Sequence, residues 1–208
     1  MPAARSSSGN GPSHPGSASA SRPGSTKPGT PSQSPAANSS LILRKQLLDF
    51  QKNPVDGFSA GLVDESNMLE WQIVIIGPAD TLYEGAILKA RLIFPPEFPL
   101  LPPKMIFDTE MWHPNIYHKG DKKGEVCVSI LHAPGEDEWG YEDAGERWLP
   151  VHTVESVLVS VISLLSQEVP DLSSPANVDA AKEVRDDFPS YKKKVKRLAR
   201  RSAEEAYD

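Results

Sequence analysis

Beyond residue 40 the apolar positions settle into regular periods. In "SSLILRKQLLDFQKNP", Leu43, Leu47 and Phe50 recur at helical spacing, which predicts an amphipathic helix capped by Ser39 or Ser40 and stopped by Pro54. The period then changes to two. "GFSAGLV", "MLEWQIVIIG" and "GAILKARLIF" alternate and are separated by turn-prone residues. In the third, Leu88, Ala90, Leu92 and Phe94 point one way while Lys89 and Arg91 point the other, as in an antiparallel sheet with one solvated face. "KMIFD" completes a four-stranded meander. Before it, the prolines of "FPPEFPLLPPK" remove backbone donors and fix φ, so strand pairing must pause there.

Residues 109 to 150 read as irregular around one short strand, and helical spacing resumes at "HTVESVLVSVISLLSQ". Apolar residues nearly encircle this central helix, leaving a polar stripe of Ser156, Ser160, Ser163 and Gln167, so one narrow face stays exposed. Two C-terminal helices follow. Asn177 caps the first, and the second starts near Pro189 with Tyr191, Val195 and Leu198 inward. Helix, strands, then helices predict an α+β domain over residues 41–208. Residues 1–40, rich in Ser, Pro and Gly with Met1 their only large apolar side chain, predict a disordered tail.

Charge narrows the partners. Residues 1–40 hold Arg5, Arg22 and Lys27 and no acid, which leaves the other 168 residues with 19 basic and 28 acidic side chains, a net of −9. That balance argues against a nucleic-acid backbone as the main ligand. No apolar run approaches the roughly 20 residues of a membrane-spanning helix, and no apolar stretch follows the first basic residues as in a secretory signal. A single cysteine allows no internal disulfide, so a reducing cytoplasmic or nuclear setting is expected.

That cysteine, Cys127 in "GEVCVSI", carries the candidate chemistry. A lone thiol is often a small buried hydrophobe. Zinc ligation by His113, His118, Cys127 and His132 lacks a close ligand pair. A Cys/His hydrolase needs a histidine base with an orienting acid or amide, and no recognised nucleophile turn is present. The third chemical reading is acyl carriage, in which a thiolate takes a carbonyl from one thioester and passes it to an amine. The tetrahedral oxyanion then needs a donor, and Asn115 in the turn His113-Pro114-Asn115 is suited to supply one, with His113 bracing the turn through its ring N–H.

"FPLLPPK", "WHPN", "GEVCVSIL", "RWLPVHTVESVLVSVISLL" and "SPANVDAAKE" together resemble the ubiquitin-conjugating enzymes across residues 41–206. The resemblance implies their fold: an N-terminal helix, a four-stranded antiparallel meander, a central helix and two C-terminal helices. It makes Cys127 the thioester-forming nucleophile, Asn115 the oxyanion or acceptor-loop residue and His113 a structural support. Ser174 stands where close relatives place an acid beside the attacking lysine. The long stretch between Cys127 and Trp148, with Glu136, Asp137, Glu138, Glu142, Asp143 and Glu146, is similar to the acidic loop of the G-type members.

The same resemblance assigns Arg44, Lys45, Leu100 and Pro150 to binding of a RING-type ligase, with the first helix also meeting the ubiquitin-activating enzyme. It assigns Val159 and Ser163 to the donor ubiquitin. Its partners are ubiquitin, those two enzymes and protein substrates, with degradation-type chains as product. It implies no cofactor or metal, ATP being used by the activating enzyme upstream. A catalytically weak ubiquitin-binding adaptor of the same fold is the alternative, although inactive variants typically lack the cysteine. From Asn115 to Cys127 the chain advances twelve positions, longer than the usual family spacing, because "HKGDKKGE" is extended.

Overall fold

The computed structural model describes residues 34–135 and 142–206. Helix α1, Pro35–Lys52, precedes strands β1 (Phe58–Leu62), β2 (Glu70–Ile76), β3 (Ile87–Ile93) and β4 (Lys104–Phe107). Helices α2 (Val154–Leu165), α3 (Val178–Asp186) and α4 (Phe188–Glu204) complete the order. The strands form one antiparallel meander, β1-β2-β3-β4. Its register sets Ile73 against Ala90 and Ala90 against Phe107, with Trp71, Leu92 and Met105 in the next row. Those residues are buried on one face, as the alternation predicts, beneath Leu43 and Leu47 of α1 and Val157, Leu158 and Val161 of α2.

Helix α1 begins at Pro35, ahead of the expected cap at Ser39 or Ser40 and inside the stretch read as tail. Pro35 enters at the first helical turn, where its missing N–H costs nothing, and Ala36 and Ala37 favour continuation. Ser39 is a fully buried side chain within the helix rather than its cap. Its hydroxyl lies 2.6 Å from both the Pro96 and Phe98 carbonyl oxygens and, with one proton, donates to one of them at a time. The remainder of the expected tail, residues 1–33, lies outside the described residues.

Two further bonds join α1 and the proline-rich segment to the stretch before α2. Trp148, fully buried, donates its indole N–H to the Pro99 carbonyl at 2.7 Å and stacks obliquely on Phe98. The Gln46 side-chain oxygen accepts from the Val154 amide at 2.9 Å. Thr153 and Ser156 form a reciprocal capping box at the start of α2, and Asn177 caps α3 as expected. Along α2 the exposed line runs through Glu155, Val159 and Ser163, so an apolar residue interrupts the anticipated polar stripe.

Trp148 thus fills the core and holds two loops together. Trp148→Ala should destabilise the domain by about 3–5 kcal/mol, read as a lower midpoint in urea denaturation; a loss under about 1 kcal/mol would mean that neighbouring side chains collapse into the space.

Candidate active site

Cys127 is fixed by its backbone. After β4 the chain runs out through Met111 and the His113-Pro114-Asn115 turn, then returns so that the Val126 amide donates to Met105 at 2.9 Å. Gly124 permits this return. Its φ is +85°, and a Cβ there would stand 2.3 Å from the Phe107 carbonyl oxygen. Ile116 bridges Val126, and the Cys127 N–H donates to the Asn115 carbonyl at 2.8 Å. The extra residues of the long loop project outward without separating its ends, for the Gly124 N–H meets the Tyr117 carbonyl at 2.7 Å.

The turn is held from behind as well. The Asn177 amide donates to the Pro114 carbonyl at 2.7 Å, tying the turn to the start of α3. His113 is buried, and burial pushes its conjugate acid down to about 4, with the Leu164 carbonyl opposing the shift. The ring is therefore neutral at physiological pH. Its Nδ1 accepts the Asn115 amide proton at 3.0 Å, so His113 braces the turn as an acceptor rather than through the expected ring N–H. The Asn115 side-chain oxygen is buried without a hydrogen-bond partner among the described residues.

His132, weighed in the sequence only as a metal ligand, stands beside the thiol. Its Nε2 is 3.3 Å from the Cys127 sulfur, and its Nδ1 faces the two Glu142 carboxylate oxygens at 2.8 and 2.9 Å. The Arg147 Nε lies 3.5 Å behind that carboxylate. The bond to Cys127 pushes the His132 conjugate acid up to about 9; burial opposes it, and the weaker bond to Glu142 adds to the rise. The ring is charged at neutral pH, a cation between a sulfur and a carboxylate. This alignment meets the geometric demand of a Cys/His site, although no residue spacing announces it; a short 3-10 turn, Ser129–Leu131, brings His132 back to the cysteine.

Glu142 corrects the reading of the acidic loop. Its carboxylate turns inward to His132 and Arg147, where it pairs with half-buried cations instead of adding to an outward patch. Asp143 and Glu146 are exposed as expected. Glu136, Asp137 and Glu138 lie outside the described residues. At the base of the loop, the Trp148 amide donates to the His132 carbonyl at 3.1 Å.

The other candidate residues are spread over the surface. Ser174 is exposed in the connection before α3, and it does not line the shallow cavity of about 110 Å³ beside Cys127. Tyr117, Lys122 and His132 do. Leu100 is 64% exposed, and Pro150 is exposed between Leu149 and Val151, the latter 80% exposed, so the loops joined by Trp148 display apolar side chains in water. Arg44 and Lys45 are exposed on α1. Val159, 48% exposed, and Ser163 share the outer face of α2. The four residues considered for zinc do not converge; His118 pairs with Asp179 at 3.2 Å, and among the described residues no group of three or more His, Cys, Asp or Glu side chains is placed to hold a metal ion.

Comparison with known proteins agrees with this geometry. The family model described as ubiquitin-conjugating enzyme matches residues 42–199. Ubiquitin-conjugating enzyme E2 15 of Schizosaccharomyces pombe is 58% identical over 82% of this chain and 98% of its own length. Ubiquitin-conjugating enzyme E2 G2 of Homo sapiens is 49% identical over 77% of this chain and 95% of its own. The solved structure of human ubiquitin-conjugating enzyme E2 G1 aligns with a TM-score of 0.53 at 54% identity, covering 62% of this chain and 95% of that one. With an α+β fold of four antiparallel strands and four helices around a cysteine held to a His-Pro-Asn turn, the chain belongs to the ubiquitin-conjugating enzyme family and sits with its G-type members.

Proposed function

We propose that this ubiquitin-conjugating enzyme takes ubiquitin from the activating enzyme as a thioester on Cys127 and passes it to a lysine amine, assisted by a RING-type ligase. The observation that carries this reading is the cysteine itself, half-buried in a shallow depression and held by backbone to the turn that bears Asn115. A larger cavity of about 480 Å³, between the β2–β3 turn, the segment after α2 and α4, has no thiol in its lining. A shallow site suits an acyl group delivered on an extended protein tail. In the transfer step the amine attacks the carbonyl carbon and the sulfur leaves. Asn115 supplies an amide donor to the oxyanion. His132 is a charge partner for the departing sulfur anion, oriented by Glu142.

The partner surfaces follow the same logic. Leu100, Pro150 and the exposed apolar residues beside them would receive the ligase, with Arg44 and Lys45 on α1 extending the surface toward ligase and activating enzyme. Val159 and Ser163 would seat the donor ubiquitin against α2. ATP is spent upstream, and Ser174 marks the side from which an acceptor lysine approaches. The acids of the 136–146 segment, Glu142 excepted, would draw a basic ubiquitin surface during chain building of the degradation type. Charges in water act over roughly 8 Å at physiological salt. An adaptor role has less support, because Cys127 and Asn115 are both present and the matched relatives carry the name of enzymes.

Incubation with activating enzyme, ATP and ubiquitin should give a reductant-sensitive adduct that Cys127→Ala abolishes and Cys127→Ser converts to a reductant-resistant oxyester. With a ligase added, neutralising Glu136, Asp137, Glu138, Asp143 and Glu146 should slow chain extension and leave that first adduct unchanged. Absence of the adduct from the wild type would refute the thioester, while unchanged extension would reduce the acidic segment to a solvated loop.

The His132 ring signal should titrate by NMR with a midpoint near 9 in the free enzyme, where an ordinary histidine titrates near 6.5. Because the bond to Cys127 is the largest cause, Cys127→Ala should move the midpoint down. A wild-type midpoint near 6.5 would mean that the contact with Cys127 does not hold the ring's proton.

A further inference from the structure

The long loop between Asn115 and Cys127 carries lysines, and one of them enters the reaction depression. Lys122 lines the same cavity as Cys127 and His132, and its Nζ lies 5.2 Å from the Tyr117 ring centroid. Tyr117 is itself a neighbour of the sulfur, lining the same cavity. The loop is braced so that this approach persists. His118 and Lys119 both contact Asp179 on α3, at 3.2 and 3.1 Å, and the Glu125 amide donates to the Lys122 carbonyl at 2.8 Å.

The nearby lysines are less suited. Lys119 is paired with Asp179, and Lys123 faces Glu110 across the loop. Lys104 also lines the depression, but its backbone is locked opposite Ile93 in the β3–β4 ladder. Lys122 has no carboxylate partner within ion-pair distance among the described residues. A tethered amine beside a thioester has a high effective concentration relative to acceptors in solution.

We infer that Lys122 is an automodification site, the residue to which ubiquitin carried on Cys127 is passed within the same chain when no other acceptor is engaged. The inference rests on the thioester reading above. The unprotonated Lys122 amine attacks the thioester carbonyl carbon, a C–N bond forms and the C–S bond breaks. The Cys127 sulfur leaves as thiolate, and the proton lost by nitrogen passes to solvent or to that sulfur; no oxidant or further reactant is required. An isopeptide-linked ubiquitin at Lys122 would then cover the depression and limit reloading of Cys127.

The full chain is loaded with ubiquitin in the absence of ligase and substrate, and adducts are sorted by sensitivity to reductant. Tryptic peptides of the resistant fraction should carry the Gly-Gly remnant of ubiquitin chiefly on Lys122. Lys122→Arg should lower that fraction about tenfold or more, while Lys104→Arg leaves it unchanged. Its formation rate per loaded enzyme should not change on dilution, as transfer within one chain requires. A thioester that forms while the remnant maps to other lysines, or a rate that rises with enzyme concentration, would overturn the inference. Absence of any reductant-sensitive adduct would instead strike the thioester reading on which it depends.

Discussion

One backbone hydrogen bond, from the Cys127 N–H to the Asn115 carbonyl, sets the geometry on which the site depends. It joins two segments twelve positions apart, and neither could hold its side chain in place alone. Every support nearby restrains the same pair: Val126 is bonded to β4, Asn177 to Pro114, and the His113 ring to the Asn115 amide. The His113 contact requires a neutral ring, and burial ensures it. A charged residue at that position would face desolvation, and among the described residues no carboxylate offsets that burial for His113.

Against this rigid turn, the other side of the cysteine is electrostatic. His132, Glu142 and Arg147 alternate in charge behind the sulfur, and the histidine's raised proton affinity derives first from the sulfur itself. On the proposed thioester mechanism, acylation of Cys127 would remove that contribution, so the ring should hold its proton less tightly in the loaded enzyme than in the free one, and the 3.3 Å contact would couple loading to protonation. Elsewhere on the surface, apolar tips at Leu100 and Val151 stand in water on loops that Trp148 ties together.

Much of the fold was legible because alternation has one physical meaning. Leu88, Ala90 and Leu92 could face the core only if Lys89 and Arg91 did not, and the register follows. The start of α1 was misread because Ser, Pro and Ala suit both a solvated tail and a first helical turn; the bonds that decide between them come from Pro96 and Phe98, distant in sequence. Cys127 and Asn115 were legible from motif, and the bond between their backbones accords with it. His132 was not, because its role depends on a 3-10 turn and on an acid ten residues further along. Glu142 looked like its neighbours in composition, and only its inward direction separates it from Asp143 and Glu146.

The central claim is that the Cys127–Asn115 clamp holds an amide donor ready for the transfer step. Single-turnover discharge of preformed Cys127 thioester onto free lysine tests it directly, comparing wild type with Asn115→Ala. Loading should proceed alike in both, while discharge by the variant should fall on the order of 100-fold, as when one oxyanion donor is lost. Equal discharge rates would contradict the account, because the clamp would then position the backbone without placing the side chain at the reacting carbonyl.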